Sequence, residues 1–406
     1  MRDVVMVVDL QYGSTGKGQV AGTLGRKWQP DTVVCANGPN AGHTYKWWEG
    51  RNPESLRMVV HTVTPVTGVL PSVRNILLGP GAVIDMTKLS DEISASMDYF
   101  AGKNLIIHPN ASIVQQEHRD REKNFVGIGS TMKGTAEAVI EKMRRLPGAN
   151  IARNWASQLE NMFPHLDLTV YVNENAYNAA LDSSQKLLVE GAQGAGLSMH
   201  SRFYPHCTSR DVSVNQIWAD CRLPARTQSQ RWAHEGEVQI IGVARTYPIR
   251  VANRLNETGD IIGYSGSCYP DQNEIPWAQI GREAELTTVT KLPRRLFTFS
   301  TQQIIDAVRY NGPTSIALTF CDYLPSHNEH HPDIPEGMMP YPVGPGEKLS
   351  PCVYHMIRRI EAAAGCPVDF LSFGSTDTDI YNPTQLWNAQ GRLSTEFRLP
   401  QAWGAE

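Results

Sequence analysis

Short runs of consecutive apolar, often β-branched residues alternate with stretches of helical period along most of this chain. The clearest run, Val4-Val5-Met6-Val7-Val8, is apolar throughout, as a strand covered on both faces must be. A helix is expected over 20–29 and a second strand over 32–36. A strand and glycine turn over 76–84 then lead into a helix over 85–98. Strands at 104–109, 186–189, 240–244, 314–318 and 368–373 and helices at 137–145 and 354–363 continue the alternation. The fold class this implies is α/β: a mainly parallel central sheet with helices on both faces and subdomain insertions. Residues 326–348, opening SHNEHHPDIPEG, carry neither period and are expected to form a long irregular connection. With no internal repeat, Gly/Ser linker or charge block to mark a boundary, residues 1–406 are expected to be a single domain.

Composition mainly excludes. A chain of 406 residues with 41% hydrophobic and 19% charged residues has the make-up of a soluble globular protein with ample core. A net charge of −4 with scattered Lys and Arg offers no field for a nucleic-acid polymer, so none is expected as partner. The seven cysteines are odd in number, far apart and without a CxxC, which suggests neither a disulfide framework nor zinc and points to a reducing cytoplasm. No apolar run approaches the roughly 20 residues of a membrane span, and the N-terminus enters a strand directly, so neither membrane nor export is expected.

Chemistry is concentrated where the strands end. Gly13-Ser14-Thr15-Gly16-Lys17-Gly18 follows the first strand, and glycines at a strand-to-helix turn let backbone N–H groups close around phosphate oxygens. It differs from the common P-loop, since only two residues separate Gly13 from Gly16 and no Ser or Thr follows Lys17. Asn37-Gly38-Pro39-Asn40-Ala41-Gly42-His43-Thr44 follows the second strand, the place where an open α/β sheet puts ligands. His43, between Gly42 and Thr44, is read as a loop histidine outside any apolar setting and hence as functional. His108, before a proline at a strand end, is read as structural, and His327, His330 and His331 as solvated, for want of ligand spacing.

Together with Glu190-Gly191-Ala192-Gln193-Gly194 and Tyr204-Pro205 leading to Thr208-Ser209, these motifs fall in the order and spacing of QWGDEGKGK, NAGHT, EGAQG and YPxxTS. The chain thus resembles the adenylosuccinate synthetases from its first strand to about Gly374. One departure stands out: Ser14 occupies the position of that family's catalytic aspartate. In this it is similar to phage-encoded relatives that act on dGMP instead of IMP.

The resemblance implies a ligase joining L-aspartate to dGMP at purine C6, through a 6-phosphoryl intermediate made at the expense of ATP or dATP, with GTP as alternative donor and Mg²⁺ as cofactor. Catalytic roles fall on Ser14, Lys17, His43 (general acid) and Gln193, whose amide would donate to the purine 6-oxygen. ATP and its phosphates would be held by Gly13, Ser14, Thr15, Gly16, Lys17, Gly18, Gly42, His43, Thr44, Asp322, Ser372, Gly374 and Ser375. The purine nucleotide would be held by Ser14, Asn40, Ser130, Thr131, Arg145, Gln193, Thr208 and Val251, and Mg²⁺ by Ser14 and Gly42. Glu285–Arg295 matches the loop that closes over aspartate, giving Val289, Thr290, Arg294 and Arg295 as its ligands, with Leu292 in place of an arginine that reaches a ribose 2′-hydroxyl. Phe320 replaces a lysine that covers the donor base, and Asp322 can accept from guanine or adenine. A homodimer is implied, with Arg144 or Arg145 entering the neighbouring site. Two other readings of the same residues are an ordinary IMP-specific, GTP-dependent synthetase and a non-catalytic nucleotide-binding relative.

Overall fold

The computed structural model describes residues 3–124, 127–129, 131–224, 238–287, 292–325, 341–344 and 347–381. Its frame is a ten-stranded sheet, whose strands in chain order are β1 (Asp3–Asp9), β2 (Thr32–Cys35), β3 (Asn75–Leu78), β4 (Lys103–Ile107), β5 (Leu168–Val172), β6 (Lys186–Glu190), β7 (Val238–Arg245), β8 (Ser315–Thr319), β9 (Val368–Ser372) and β10 (Ile380–Tyr381). They lie side by side as β5-β4-β3-β2-β6-β1-β7-β8-β9-β10. Every pairing is parallel except β9 with β10. The expected mainly parallel α/β sheet is what forms.

Continuous apolarity in β1 is explained by its two faces. Val5 and Val7 pack with Leu24, Trp28, Val33 and Leu70 on one side, while Val4, Met6 and Val8 pack with Tyr177, Leu181, Ile304 and Ile357 on the other. Each such side chain contributes about 1.5–3 kcal/mol on leaving water, so the central strand is anchored from both sides. The chain leaves β1 toward β2–β5, returns to insert β6 between β1 and β2, and then extends past β1 through β7–β9. β1 therefore lies at the topological switch point, and the turns after β1, β6 and β7 open into one crevice.

Two glycines decide how the first helix sits. Lys17–Trp28 begins at Lys17, three residues before the expected start, because left-handed Gly16 (φ 81°) already turns the chain into it. A Cβ on Gly18 would crowd His43 and Thr44, and one on Gly22 would enter the Tyr45 ring. The helix therefore lies flush against the strand His43–Trp48, which pairs antiparallel with Leu56–His61 in a hairpin absent from the sequence reading. This close approach carries His43 to the helix terminus.

Other elements differ from expectation in detail. The helix over 85–98 is two, Met86–Ala95 and Met97–Phe100, broken at Ser96, whose φ of −126° is not helical. The helix over 137–145 runs Thr135–Met143, and Arg145 lies beyond it at φ 57°. Within the supposedly irregular 326–348, Tyr341–Gly344 and Glu347–Leu349 pair as a small hairpin that the proline at 342 and the glycines obscured in the pattern. His108 is buried and structural as expected: its Nδ1 accepts from Asn110 N at 3.1 Å, and burial together with Arg222 pushes it down to about 4. No helix among the described residues is long and apolar enough to cross a membrane.

Away from the crevice, Asp369 in β9 is fully buried and neither carboxylate oxygen has a hydrogen-bond partner among the described residues. Burial raises its pKa to about 6, and the nearby Ser315 hydroxyl offsets only part of that rise. A carboxyl raised in the folded state contributes stability that is fully present below its unfolded value near 4 and lost as pH rises through about 6. Asp369→Asn should therefore stabilise the fold at pH 7–8 by on the order of 2–3 kcal/mol and hardly at pH 4. Urea unfolding across that range checks it, and a gap independent of pH contradicts it.

Candidate functional site

The glycine loop after β1 is wrapped around a carboxylate. Asp9, the last residue of β1, accepts from Gln11 N at 2.7 Å and Gly13 N at 3.4 Å through Oδ1, and from Thr15 Oγ1 at 2.5 Å and Lys17 Nζ at 3.4 Å through Oδ2. Gly13, Ser14 and Gly16 all take positive φ (85°, 53° and 81°). In that conformation successive N–H groups face the same concavity, the arrangement that binds anions. Among the described residues the N–H groups of Ser14, Thr15 and Gly16 donate to no protein acceptor, whereas the Ser14 and Thr15 carbonyls are turned away and held by Arg245 Nη1 (2.9 Å) and Thr319 Oγ1 (2.7 Å). The Gly18 amide belongs to the first turn of the helix, whose dipole adds positive character to the same spot.

His43 is not the loop histidine expected from its neighbours. It opens the strand His43–Trp48, is 5% exposed, and has Nδ1 3.3 Å from Glu190 Oε2. Glu190, at the end of β6, also accepts from Thr67 N (2.7 Å), Thr67 Oγ1 (2.5 Å) and Val66 N (3.2 Å). Burial pushes the Glu190 carboxyl up, but its hydrogen bond and charge interaction with His43 and the Thr67 donors outweigh this, and the net shift is downward. With Nδ1 committed to a carboxylate, the ring is fixed and Nε2, buried and without a partner among the described residues, is left for chemistry. Three residues beyond Glu190, Gln193 takes φ 64° in the next turn. A Cβ on Gly194 would collide with Gly13 N, Asp9 Oδ1 and Gln11 O, so the Gln193 turn and the phosphate loop cross in direct contact.

On the other side of β1, Arg245 ends β7 with its side chain fully buried. Its guanidinium holds Ser14 O, pairs with Glu285 at 2.5 Å and lies 3.7 Å from the Phe320 ring centroid. Tyr323 OH donates to the same Glu285 carboxylate at 3.2 Å, and Asp322 is 3.4 Å from Arg282. Burial raises the Asp322 carboxyl and Arg282 partly opposes the rise. One cation thus links the phosphate loop, the start of the 285–295 segment and the segment with Phe320 and Asp322. Within 285–295, Thr287 and Leu292 bond reciprocally across the turn, N to O at 2.8 Å and Leu292 N to Thr287 Oγ1 at 3.0 Å. Burial lowers the Arg294 guanidinium against the opposing pull of Glu285. Arg295 has its fork on Glu274 (2.9 and 2.6 Å) and its remaining nitrogen on Ser265 and Gly266, so its donors are taken up within the chain. Val289 and Thr290 lie outside the described residues.

The remaining candidates are spread around the crevice. Asn40 follows β2 and carries a buried Oδ1 without a partner among the described residues, as does the whole amide of Asn37 at its foot. Gly42 and Thr44 flank His43 and are exposed. Thr131 is exposed ahead of the helix Thr135–Met143, and Arg144 and Arg145 are exposed beyond its end; Ser130 lies outside the described residues. Thr208 donates its N–H to Leu197 O at 2.7 Å, and Val251 is half-buried next to Arg250, which is anchored on Ser265 O and His206 O. Ser372 is buried and donates to Gly374 O at 3.0 Å, and Gly374 and Ser375 are exposed beyond β9.

Asp9, Glu190 and Arg245 were given no role in the sequence reading, although each is a charged residue at the buried C-terminal end of a central strand. A charge cannot be buried there unpartnered, and that was the available signal. The cluster Glu117, His118 and Glu141 has ligand-like proximity, yet His118 accepts from Gln115 N through Nδ1 and bonds Glu141 through Nε2, tying two helices together.

Comparison with known proteins agrees with this geometry. The family model for adenylosuccinate synthetase matches residues 6–153 and 149–330. The chain is 38% identical over 349 residues to the N6-succino-2-amino-2′-deoxyadenylate synthase of Acinetobacter phage SH-Ab 15497, spanning 81% of this chain and 86% of that one. It is 40% identical over 331 residues to the enzyme of that name from Salmonella phage PMBT28, spanning 80% and 86%. In three dimensions it is similar to the Cyanophage S-2L succinoaminodeoxyadenylate synthetase (PurZ) bound to dGMP and to dATP as an energy donor, with a TM-score of 0.76 and 36% identity over 94% of this chain and 95% of that one. A family match over most of the sequence, and relatives at this identity covered along most of their length, make the chain a member of the adenylosuccinate synthetase family.

Proposed function

We propose that this protein is a ligase condensing L-aspartate with dGMP at purine C6, driven by ATP or dATP, to give the N6-succinyl derivative of 2-aminodeoxyadenylate. The observation that carries the reading is the meeting of a carboxylate-organised phosphate loop with the buried, unpartnered Nε2 of His43, next to the Gln193 turn. Support comes also from the phage relatives of that activity and from the cyanophage structure with dGMP and dATP.

In this reading the loop amides, Lys17 and the helix terminus hold the donor phosphates, and transfer of the γ-phosphoryl group to the purine 6-oxygen makes that oxygen a leaving group. His43 Nε2 donates toward the phosphoryl group while Glu190 holds Nδ1, and the Gln193 amide donates to the 6-oxygen. The aspartate amine then displaces phosphate at C6. Thr290 and Arg294 receive the aspartate carboxylates, while Arg295, engaged by Glu274, shapes the segment that bears them. Asn40, Thr131, Thr208 and Val251 hold the nucleotide, and Asp322, Gly374 and Ser375 border the donor base, whose side of the site is walled by Phe320 stacked on Arg245. Homodimerisation, with the exposed Arg145 of one subunit reaching the 5′-phosphate held by the other, belongs to this reading; a monomer on sedimentation would remove it.

The residues present fit Mg²⁺. Ser14 Oγ and the Gly42 carbonyl are exposed oxygen donors with no acceptor role elsewhere among the described residues, and a hard cation completes its shell with phosphate oxygens and water. When bound, the ion neutralises charge on the transferring phosphoryl group.

Three outcomes follow. Lys17→Ala and His43→Ala should each lower aspartate- and dGMP-dependent phosphate release by about 100-fold or more with the fold retained, since both act on transition-state charge. Near-wild-type rates in either variant would exclude the mechanism. In the same assay ATP and dATP should outperform GTP, because an apolar ring at Phe320 stands at the donor side; equal turnover with GTP would refute this. Ser14, with an exposed short side chain at φ 53°, leaves room for the C2 amine of guanine and offers it a hydroxyl acceptor. The wild type should therefore prefer dGMP to IMP in kcat/KM, and Ser14→Asp should shrink that preference. Better turnover of IMP by the wild type, with GTP as donor, would move the protein to the ordinary synthetases.

A further inference from the structure

The phosphate loop is built on a carboxylate that the mechanism above does not use. Asp9 is 3% exposed and receives four donors: two backbone N–H groups, the Thr15 hydroxyl and the Lys17 ammonium. Thr15 and Lys17 are themselves buried, at 0% and 7% exposure, and the side chain of neither has a second partner among the described residues. The Asp9 Oδ1 atom also marks the contact with Gly194, in the turn that carries Gln193. A buried anion under a polyphosphate site opposes ground-state binding of the donor. Its two bonds to Gln11 N and Gly13 N could equally be made by a neutral amide oxygen, so the loop's shape does not call for a charge. What the charge adds is attraction: neutral carbonyls can fix an ammonium, as Gly68 O and Leu70 O fix Lys103 Nζ at 2.8 and 2.7 Å, but a charge-assisted bond to a carboxylate holds it more strongly.

We propose that Asp9 is a positioning residue that aims the Lys17 ammonium, through Oδ2 and with Thr15 as brace, at the phosphoryl group in transfer, while weakening ground-state affinity for the donor nucleotide. The proposal rests on the phosphoryl-transfer reading of the site. It assigns opposite signs to two measurable quantities, because an interaction realised only in the transition state appears in kcat and a uniform electrostatic penalty appears in donor affinity.

In Asp9→Asn the retained Oδ1 still accepts from Gln11 and Gly13, and the new amide nitrogen faces Lys17 and Thr15 in place of Oδ2. The expected result is a fall in kcat of about 10–100-fold with donor KM unchanged or lower, and tighter ATP binding in direct titration. A residue that merely shapes the loop would raise donor KM and leave kcat near wild type, so kcat within about twofold, or a raised KM, overturns the proposal. If Asp9→Asn does not fold, Thr15→Val removes the brace alone; lowered kcat without a raised KM supports the proposal and unchanged kcat overturns it. Failure of the functional reading is distinct: a wild type that releases no phosphate with dGMP and aspartate sinks that reading. The ATP titration then judges Asp9 by itself, and equal or weaker binding by the variant refutes it.

Discussion

The chemistry of this chain depends on the contact between the turn that follows β1 and the turn that follows β6. Those turns belong to residues some 180 positions apart, and they meet because β6 is inserted directly beside β1 in the sheet. The missing side chain at Gly194 lets the second turn pass against Gly13, Gln11 and the Asp9 carboxylate. A methyl group there would push the Gln193 amide away from the phosphate loop, and the two reacting ends of the substrates would lose their common frame. The parallel sheet supplies the stiffness: β1 is packed on both faces, so neither turn can retreat by bending the strand that carries it.

From that contact the site is extended in two directions by side-chain pairs from neighbouring strands. Toward β2, Glu190 fixes His43, delivered by the flush packing of the glycine-lined helix on the strand His43–Trp48. Toward β8, Arg245 ties the Ser14 carbonyl to Glu285 and to the Phe320 ring. Desolvating such groups is costly unless partners are close and well directed, so these pairs hold their loops in one arrangement. Arg245 is central here because a planar guanidinium can pair with a carboxylate at its edge and stack on a ring through its face simultaneously.

The proposed preference for a deoxyguanylate substrate turns on a smaller feature. Ser14 stands at the apex of the phosphate loop with its carbonyl held from behind by Arg245 and its hydroxyl toward solvent. The backbone there is left-handed (φ 53°), a conformation uncommon for residues other than glycine. The backbone that carries this side chain is held by a buried cation from another strand.

Much of the frame was legible in the residues themselves. The apolar runs gave β1, β2, β3, β6, β7, β8 and β9 to within a few positions, since a strand buried on both faces has to be apolar throughout. Glycines at strand ends marked the turns where backbone must approach a ligand. Local pattern also drew the outline of the site, because Gly13–Lys17, Asn40–Thr44 and Glu190–Gly194 each follow a strand. Which side chains partner one another was decided only by the tertiary structure. His43 reads as an exposed loop residue beside Gly42, yet it is buried on Glu190, 147 positions away, because strand order brings β6 next to β2. Asp9 reads as the polar end of a strand and becomes the centre of the phosphate loop, because left-handed turns at Gly13, Ser14 and Gly16 fold Thr15 and Lys17 back onto it. Periodicity and turn chemistry are properties of neighbours in the chain, whereas the pairing of buried charges depends on sheet order and register, which no local segment specifies.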